Sequence, residues 1–146
     1  MDNETDIHYM SLALSLAGKG RSTVSPNPMV GAVVVKNDTV AGQGYHNKTG
    51  DDHAEVIAIR NAGENARGAT LYVTLEPCCH YGKTPPCVDT IIKSGIRRVV
   101  AAMPDENPAV CGGGCDRLRE HKIETIVGVM EDRARKLNET YLKFIK

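Results

Sequence analysis

The spacing of apolar residues predicts a helix at each end of the chain. Over residues 5–18 they recur at helical intervals, at Ile7, Met10, Leu14 and Ala17. Thr5 or Asp6 can cap the start of this helix, and Gly18 and Gly20 can end it. A second stripe with the same spacing closes the chain, at Ala134, Leu137, Tyr141 and Ile145.

Between these helices, short apolar runs alternate with helical patterns. Residues 30–36 and 40–45 flank an Asn-Asp turn signal, which predicts a hairpin. Further strands are predicted at 69–75, 98–103 and 123–129, and helices at 54–63, 87–93 and 115–121. The order α-β-β-α-β-α-β-α-β-α predicts an α/β fold, a three-layer α/β/α sandwich around a five-stranded sheet. The hairpin makes this sheet mixed rather than all parallel.

Composition narrows the class of protein. The 146 residues fit a single domain over 1–146, and 18 basic residues balance 18 acidic ones. We therefore expect no nucleic-acid and no membrane partner. The acidic N-terminus does not resemble a secretory signal, and no apolar run has the length of a membrane span. Five cysteines, an odd number, fit a disulfide framework poorly, so a reducing, cytoplasmic location is expected.

The candidate chemistry lies in His53-Ala54-Glu55, followed by Cys78 and Cys87. One imidazole and two thiolates leave a fourth position of a tetrahedral Zn²⁺ for water, which distinguishes a catalytic zinc site from a closed structural one. Glu55 can then move protons between that water and a substrate. His53 and Cys87 fall at predicted helix starts, where the helix dipole favours a thiolate and where the Ala54 N–H can donate to a substrate carbonyl.

The residues alone leave several alternatives open for the type of zinc site and for its ligands. A structural zinc would take Cys79 or His80 as a fourth ligand, although Glu55 would then have no proton to move. Spacing alone does not decide between Cys78 and Cys79. The deaminase signature His-x-Glu with Pro-Cys-x-x-Cys has two residues between its cysteines, whereas eight separate Cys78 from Cys87. Cys111 and Cys115 lack a second pair and are interpreted as ordinary free cysteines.

Three segments together resemble a known family: PNPMVGAVV at 26–34, HAE at 53–55 and YVTLEPCCHYGKTPPC at 72–87. They are similar to the diaminohydroxyphosphoribosylaminopyrimidine deaminases of riboflavin biosynthesis, within the cytidine-deaminase-like superfamily. The resemblance extends from about Tyr9 to Phe144. The long insert that ends in Gly-Lys-Thr-Pro-Pro-Cys is typical of this branch and accounts for the unusual cysteine spacing.

The resemblance implies roles for individual residues. The zinc ligands would be His53, Cys78 and Cys87, with Glu55 as proton shuttle; family members commonly carry Ser at the position of Cys79, which favours Cys78. The substrate contacts would fall into three groups: Asn27 and His46 at the ring or ribose, His80, Lys83 and Thr84 near the phosphate, and Asp105 and Asn107 at the ribose hydroxyls. A cation and donors beside a metal ligand independently suit a phosphorylated substrate. The ribose loop here is Asp-Glu-Asn-Pro, where the family usually has Asp-Pro-Asn-Pro.

The implied reaction is hydrolytic removal of the 2-amino group from 2,5-diamino-6-(5-phosphoribosylamino)pyrimidin-4(3H)-one, a phosphorylated ribosylaminopyrimidine. The family often fuses this domain to an NADPH-dependent reductase. No Gly-rich dinucleotide loop follows a strand here, so we expect a deaminase domain without reductase activity and a separate reductase as a possible partner. A homodimer or homotetramer is also expected. The alternatives are a related zinc deaminase acting on another pyrimidine, purine or nucleoside, and a catalytically silent, zinc-stabilised binding module.

Overall fold

The computed structural model describes residues 3–20, 29–46, 53–77, 87–104 and 113–139. Within these ranges the elements follow the predicted order: α1 (Asn3–Ala17), β1 (Gly31–Lys36), β2 (Thr39–Tyr45), α2 (Ala54–Ala62), β3 (Thr70–Val73), α3 (Cys87–Ser94), β4 (Arg98–Ala101), α4 (Gly113–Glu120), β5 (Glu124–Val127) and α5 (Glu131–Leu137). Short 3₁₀ turns follow α1 and α2. The alternation predicted from the sequence is confirmed.

The five strands form one mixed sheet in the order β2-β1-β3-β4-β5. β1 is antiparallel to both β2 and β3, whereas β3, β4 and β5 are parallel. The turn between β1 and β2 consists of Asn37 and Asp38, with φ values of 53° and 59°. Asn and Asp tolerate this left-handed conformation, which matches the twist of a two-residue hairpin. The predicted hairpin and the mixed sheet are therefore confirmed.

Helices cover both faces of the sheet, and glycines allow the closest approaches. A Cβ on Gly31 would lie 2.7 Å from the backbone nitrogen of Ala17 in α1. On β2, a Cβ on Gly42 would lie 2.6 Å from the nitrogen of Ala62 in α2, and one on Gly44 would lie 2.7 Å from the Ile57 side chain. Because neighbouring positions along a strand face opposite sides of the sheet, α1 and α2 belong to different layers. The three-layer arrangement follows.

The predicted apolar stripe of α1 is wrong at one position. Met10, Leu14 and Ala17 are buried, but Ile7 is 46% exposed, whereas its neighbour Asp6 is only 5% exposed. The physical reason is a polar cluster beneath the helix, described next. In α5, Ala134 is buried and Leu137 packs against the core, while Tyr141 and Ile145 lie outside the described residues.

The polar cluster joins α1 to the sheet. Both carboxylate oxygens of Asp6 accept hydrogen bonds from the Arg98 guanidinium, at 3.0 and 2.9 Å, and Oδ1 also accepts one from the Tyr72 hydroxyl at 2.7 Å. The Arg98 hydrogen bonds hold the pKa of Asp6 below its usual 3.8, and burial next to this carboxylate raises the pKa of Tyr72. Asp6 was expected only as a possible helix cap, but it is a buried anchor.

Element ends differ from the predicted ones by a few residues. α4 begins at Gly113 rather than at 115, and β3 ends at Val73 rather than at 75. Beyond β3, Thr74 still pairs with Gly31, because its backbone N–H donates to the Gly31 carbonyl and its Oγ1 accepts the Gly31 N–H, at 3.0 and 3.1 Å. The chain is thus held to the sheet after regular strand geometry stops. In the part of the chain that the model describes, no helix has the length and apolarity needed to cross a membrane.

Candidate metal centre

The sheet topology brings several chain segments to one edge. β2 and β3 both run antiparallel to β1, so their ends, Tyr45 and Val73, lie at the same edge, and His46 and Glu76 follow them there. β4 is parallel to β3 and ends there too. The helices that follow, α2, α3 and α4, start at this edge. In α/β proteins the carboxyl edge of the parallel strands is where ligands bind.

His53 is positioned by the start of α2. It is the N-cap residue, with extended backbone angles (φ −70°, ψ 159°), and its carbonyl accepts the first helical hydrogen bond, from Ile57 at 3.1 Å. Its side chain makes no capping hydrogen bond. Glu55 lies in the first turn of the same helix and is 4% exposed. One helix start therefore presents both an imidazole and a carboxylate.

Cys87 joins these two groups from the first residue of α3. Its Sγ lies 2.9 Å from Nδ1 of His53. The donor atoms of His53, Glu55 and Cys87 all lie within 4.8 Å of one another, and among the described residues no other such trio of His, Cys, Asp and Glu was found. His53 is exposed, whereas Cys87 is 2% exposed, so the cluster faces solvent on one side only.

These donors fit a zinc ion. With Zn–N near 2.0 Å and Zn–S near 2.3 Å, two ligands on a tetrahedral ion are about 3.5 Å apart. The observed 2.9 Å between Nδ1 and Sγ needs a widening of roughly half an ångström, which small side-chain rotations provide. Imidazole nitrogen and thiolate sulfur are ligands that suit zinc, and a buried carboxylate lies next to them here.

Two other predicted site residues lie at the cluster. His46 is buried, and its ring meets that of His53 edge-on, with centroids 5.5 Å apart. Its backbone N–H donates to the Val30 carbonyl at 3.0 Å, which fixes the chain after β2. Ala54 is fully buried as the first residue of α2, so its N–H belongs to the first turn, where no intrahelical acceptor exists. Their predicted contacts with substrate remain predictions.

The other predicted site residues fall outside the described ranges: Asn27, Cys78, His80, Lys83, Thr84, Asp105 and Asn107. Cys79 and Cys111 also fall outside them. The described chain reaches Pro77, directly before Cys78, at the edge where His53 and Cys87 meet.

Cys115 has a buried, protonated thiol. Burial, and secondarily the nearby Glu76 carboxylate, raise its pKa to about 12. A metal ligand must be a thiolate, so Cys115 is poorly suited to that role. It has no disulfide partner among the described residues, in agreement with its interpretation as a free cysteine.

Sequence reasoning missed two buried polar anchors beside this edge. Glu76 is 4% exposed, and its Oε2 accepts the Cys115 N–H at the start of α4, at 3.3 Å. Asn138, after α5, brackets the backbone of Met29: its Oδ1 accepts the Met29 N–H at 2.6 Å, and its Nδ2 donates to the Met29 carbonyl at 3.1 Å. Glu76 could have been recognised from the sequence, because it is a charged residue directly after a predicted buried strand, inside the Glu-Pro-Cys motif. No sequence pattern marks Asn138.

This fold and this donor cluster fit a zinc-binding deaminase domain. Residues 3–103 match the family described as the cytidine and deoxycytidylate deaminase zinc-binding region, and the chain belongs to that family. Within it, the chain groups with the diaminohydroxyphosphoribosylaminopyrimidine deaminases of riboflavin biosynthesis. It is 47% identical to the enzyme of that name from Buchnera aphidicola subsp. Schizaphis graminum over 138 residues, covering 94% of each chain.

Longer relatives also match. The chain is 57% identical to riboflavin biosynthesis protein RibD of Aquifex aeolicus over 145 residues, 99% of this chain and 41% of that protein. The structure of Acinetobacter baumannii RibD superposes with a TM-score of 0.96 at 49% identity, covering 99% of this chain and 40% of that one. The chain thus spans about two fifths of the length of these RibD relatives.

Proposed function

We propose that this chain catalyses the hydrolytic deamination of 2,5-diamino-6-(5-phosphoribosylamino)pyrimidin-4(3H)-one in riboflavin biosynthesis. Water adds to C2 of the pyrimidinone, the bond to the exocyclic nitrogen breaks, and the products are the matching 5-amino uracil derivative and ammonia. The observation that carries this proposal is the meeting of His53 and Cys87, 2.9 Å apart, with the buried carboxylate of Glu55 beside them.

The proposed zinc ligands are His53, Cys87 and Cys78. The described donors alone would also allow Glu55 as a third ligand. We assign Glu55 to proton transfer because Pro77, the residue before Cys78 in the sequence, lies at the same edge, and a third sulfur or nitrogen donor would complete the set. When bound, Zn²⁺ supplies the Lewis acidity that makes a water molecule nucleophilic at neutral pH.

Glu55 is suited to move protons during the reaction. Its carboxylate is buried in the first turn of α2, within 4.8 Å of the donor atoms of His53 and Cys87. From there it accepts one proton from the attacking water and delivers it to the ring nitrogen, and it then takes the second proton, from the added hydroxyl, and delivers that one to the departing amine. Burial keeps bulk water from competing for that proton.

The start of α2 and the end of β2 form the part of the substrate pocket that can be described. The Ala54 N–H, at the positive end of α2, is proposed to donate to the substrate carbonyl as negative charge develops. His46, edge-on to His53, is proposed to contact the ring or ribose. Asn27 is assigned to the ring or ribose as well, His80, Lys83 and Thr84 to the phosphate, and Asp105 and Asn107 to the ribose hydroxyls.

The decisive experiment measures ammonia release from purified full-length chain, with zinc determined on the same sample. We expect turnover of the phosphorylated diaminopyrimidine and much slower or no turnover of cytidine, guanine and adenosine. Preference for one of those three compounds would refute the substrate assignment. Bound zinc without ammonia release from any of the four compounds would refute the enzyme and favour a zinc-stabilised binding module.

Wider aspects of the function are also proposals. We propose that residues 1–146 act as one deaminase domain, that the chain forms a homodimer or homotetramer, and that a separate reductase consumes its product. We also propose a reducing, cytoplasmic compartment, which would keep the sulfurs of Cys87 and Cys115 unoxidised.

A further inference from the structure

The first turn of α4 lies against both chain segments that lead to the proposed sulfur ligands. A Cβ placed on Gly114 would lie 3.1 Å from the carbonyl carbon of Pro77 and 3.4 Å from Cγ2 of Val88. Pro77 directly precedes Cys78, and Val88 directly follows Cys87. Only glycine, which has no side chain, allows this approach. The start of α4 is therefore in contact with the neighbours of both cysteines.

Glu76 ties the end of β3 to this turn. Its backbone N–H donates to the Met103 carbonyl at 3.0 Å, which extends the pairing of β3 with β4. Its buried carboxylate accepts the Cys115 N–H from the third residue of α4 at 3.3 Å. A carboxylate at a helix N-terminus is stabilised both by this hydrogen bond and by the helix dipole. Glu76 thereby fixes α4 relative to the segment that continues into Cys78.

An ion pair fixes α4 relative to the other cysteine. Arg117 of α4 contacts Asp89 of α3 at 2.8 Å, and Asp89 lies two residues after Cys87 in the first turn of α3. The Asp89 side chain is 17% exposed, so solvent screens this pair only partly. With Glu76 on one side and Asp89 on the other, α4 contacts both of the segments that lead to the two cysteines.

We propose that Glu76 is a positioning residue for the metal centre: it holds α4 against Pro77 and Val88, the sequence neighbours of the proposed ligands Cys78 and Cys87, and so strengthens zinc binding. This inference rests on the zinc ligation proposed above. Residues that orient metal ligands from outside the coordination sphere typically contribute about 10- to 100-fold to metal affinity.

The wild-type protein offers the first test, because coupling between two sites acts in both directions. Amide hydrogen exchange is compared in the zinc-loaded and the zinc-stripped full chain. We expect zinc removal to speed exchange at Cys115 and the rest of the first two turns of α4. The amide of Asn138, which bonds within α5, serves as the internal control and should change little. Equal exchange of the α4 amides in both forms would overturn the proposal.

Substitution offers the second test. Chelator competition should give zinc binding weakened by about 10-fold or more in Glu76→Ala. Glu76→Gln, which keeps an oxygen acceptor for Cys115, should weaken it less. Asp6→Asn is the matched control: it also removes a buried carboxylate, but one that contacts Arg98 at the opposite end of β4, so it should lower Tm and leave zinc affinity unchanged.

Two results would overturn the proposal: wild-type zinc affinity in both Glu76 variants, or an equal loss of zinc affinity in Asp6→Asn. Zinc affinity is measured without turnover, so these results are independent of the proposed activity. A wild-type chain that binds zinc and couples it to α4, yet releases no ammonia, would refute the activity and leave the role of Glu76 standing.

Discussion

The buried carboxylate of Asp6 is expected to contribute strongly to folding stability. It accepts two hydrogen bonds from Arg98 and one from Tyr72, all between 2.7 and 3.0 Å. Asp6→Asn removes the charge and turns an NH₂ group toward these donors. Breaking a buried ion pair costs about 3–5 kcal/mol. The Arg98 side chain is 24% exposed, so we take the lower end, ~3 kcal/mol.

A loss of ~3 kcal/mol corresponds to a fall in Tm of roughly 6–12 °C for a chain of this size. Urea denaturation at pH 7 measures the free energy of unfolding directly. Glu124→Gln is the control, because Glu124 faces the same guanidinium at 3.6 Å but is 65% exposed. This exposed pair should contribute less than about 1 kcal/mol.

The ion pair of Asp6 and Arg98 also predicts that the free energy of unfolding depends on pH. Because the Arg98 hydrogen bonds lower the pKa of Asp6 in the folded state, its stabilisation is complete above the ordinary value of 3.8 and is lost as pH falls through the lower folded-state value. The stability gap between wild type and Asp6→Asn should therefore be constant from about pH 5 to 7 and narrow below 3.8. A gap under about 1 kcal/mol at pH 7, or one that does not narrow in acid, would refute the reasoning.

Three other substitutions, two of them with a matched control, test the site and its supports. Glu55→Gln should lower kcat by about 10²- to 10⁴-fold while zinc content and Tm stay nearly unchanged; retained turnover would contradict the proton-transfer role. Gly42→Ala should cost roughly 1–3 kcal/mol in urea denaturation, because its Cβ would press on the α2 backbone, whereas Gly18→Ala, with no atom within 4 Å, should be nearly neutral. Asn138→Ala should cost about 1–3 kcal/mol by the same assay, and the exposed Asn61→Ala under about 0.5. Equal effects of the two glycine substitutions would contradict the packing argument, and equal effects of the two asparagine substitutions would contradict the role of the buried hydrogen bonds.

The sequence predicts the fold well because its apolar residues follow the strand and helix periodicities clearly. Residues 30–36 are almost wholly apolar, and the Asn37-Asp38 turn has the left-handed angles that these residue types favour. The meeting of His53 with Cys87 also follows from the sequence, since the strand order places both helix starts at one edge.

What the sequence could not predict depends on long-range partners. Helical spacing placed Ile7 inside, because an apolar residue at that position matches the stripe, but Arg98 and Tyr72 draw Asp6 inward instead. Neither partner is near Asp6 in sequence. Asn138 likewise brackets Met29 across 109 residues, and no local pattern distinguishes it from a surface asparagine.

The contact between β2 and α2 has a consequence for how the reactive groups are placed. At Gly42 the backbone of α2 lies directly against the backbone of β2, with no intervening side chain that could change rotamer. The distance between α2 and β2 is therefore set by direct backbone contact. Because a helix moves as a rigid body, a displacement at one end also displaces the other end. His53 and Glu55 lie at the opposite end of α2 from Ala62, so their positions depend on this contact. Even a single methyl group added there, far from the metal centre, should displace both side chains.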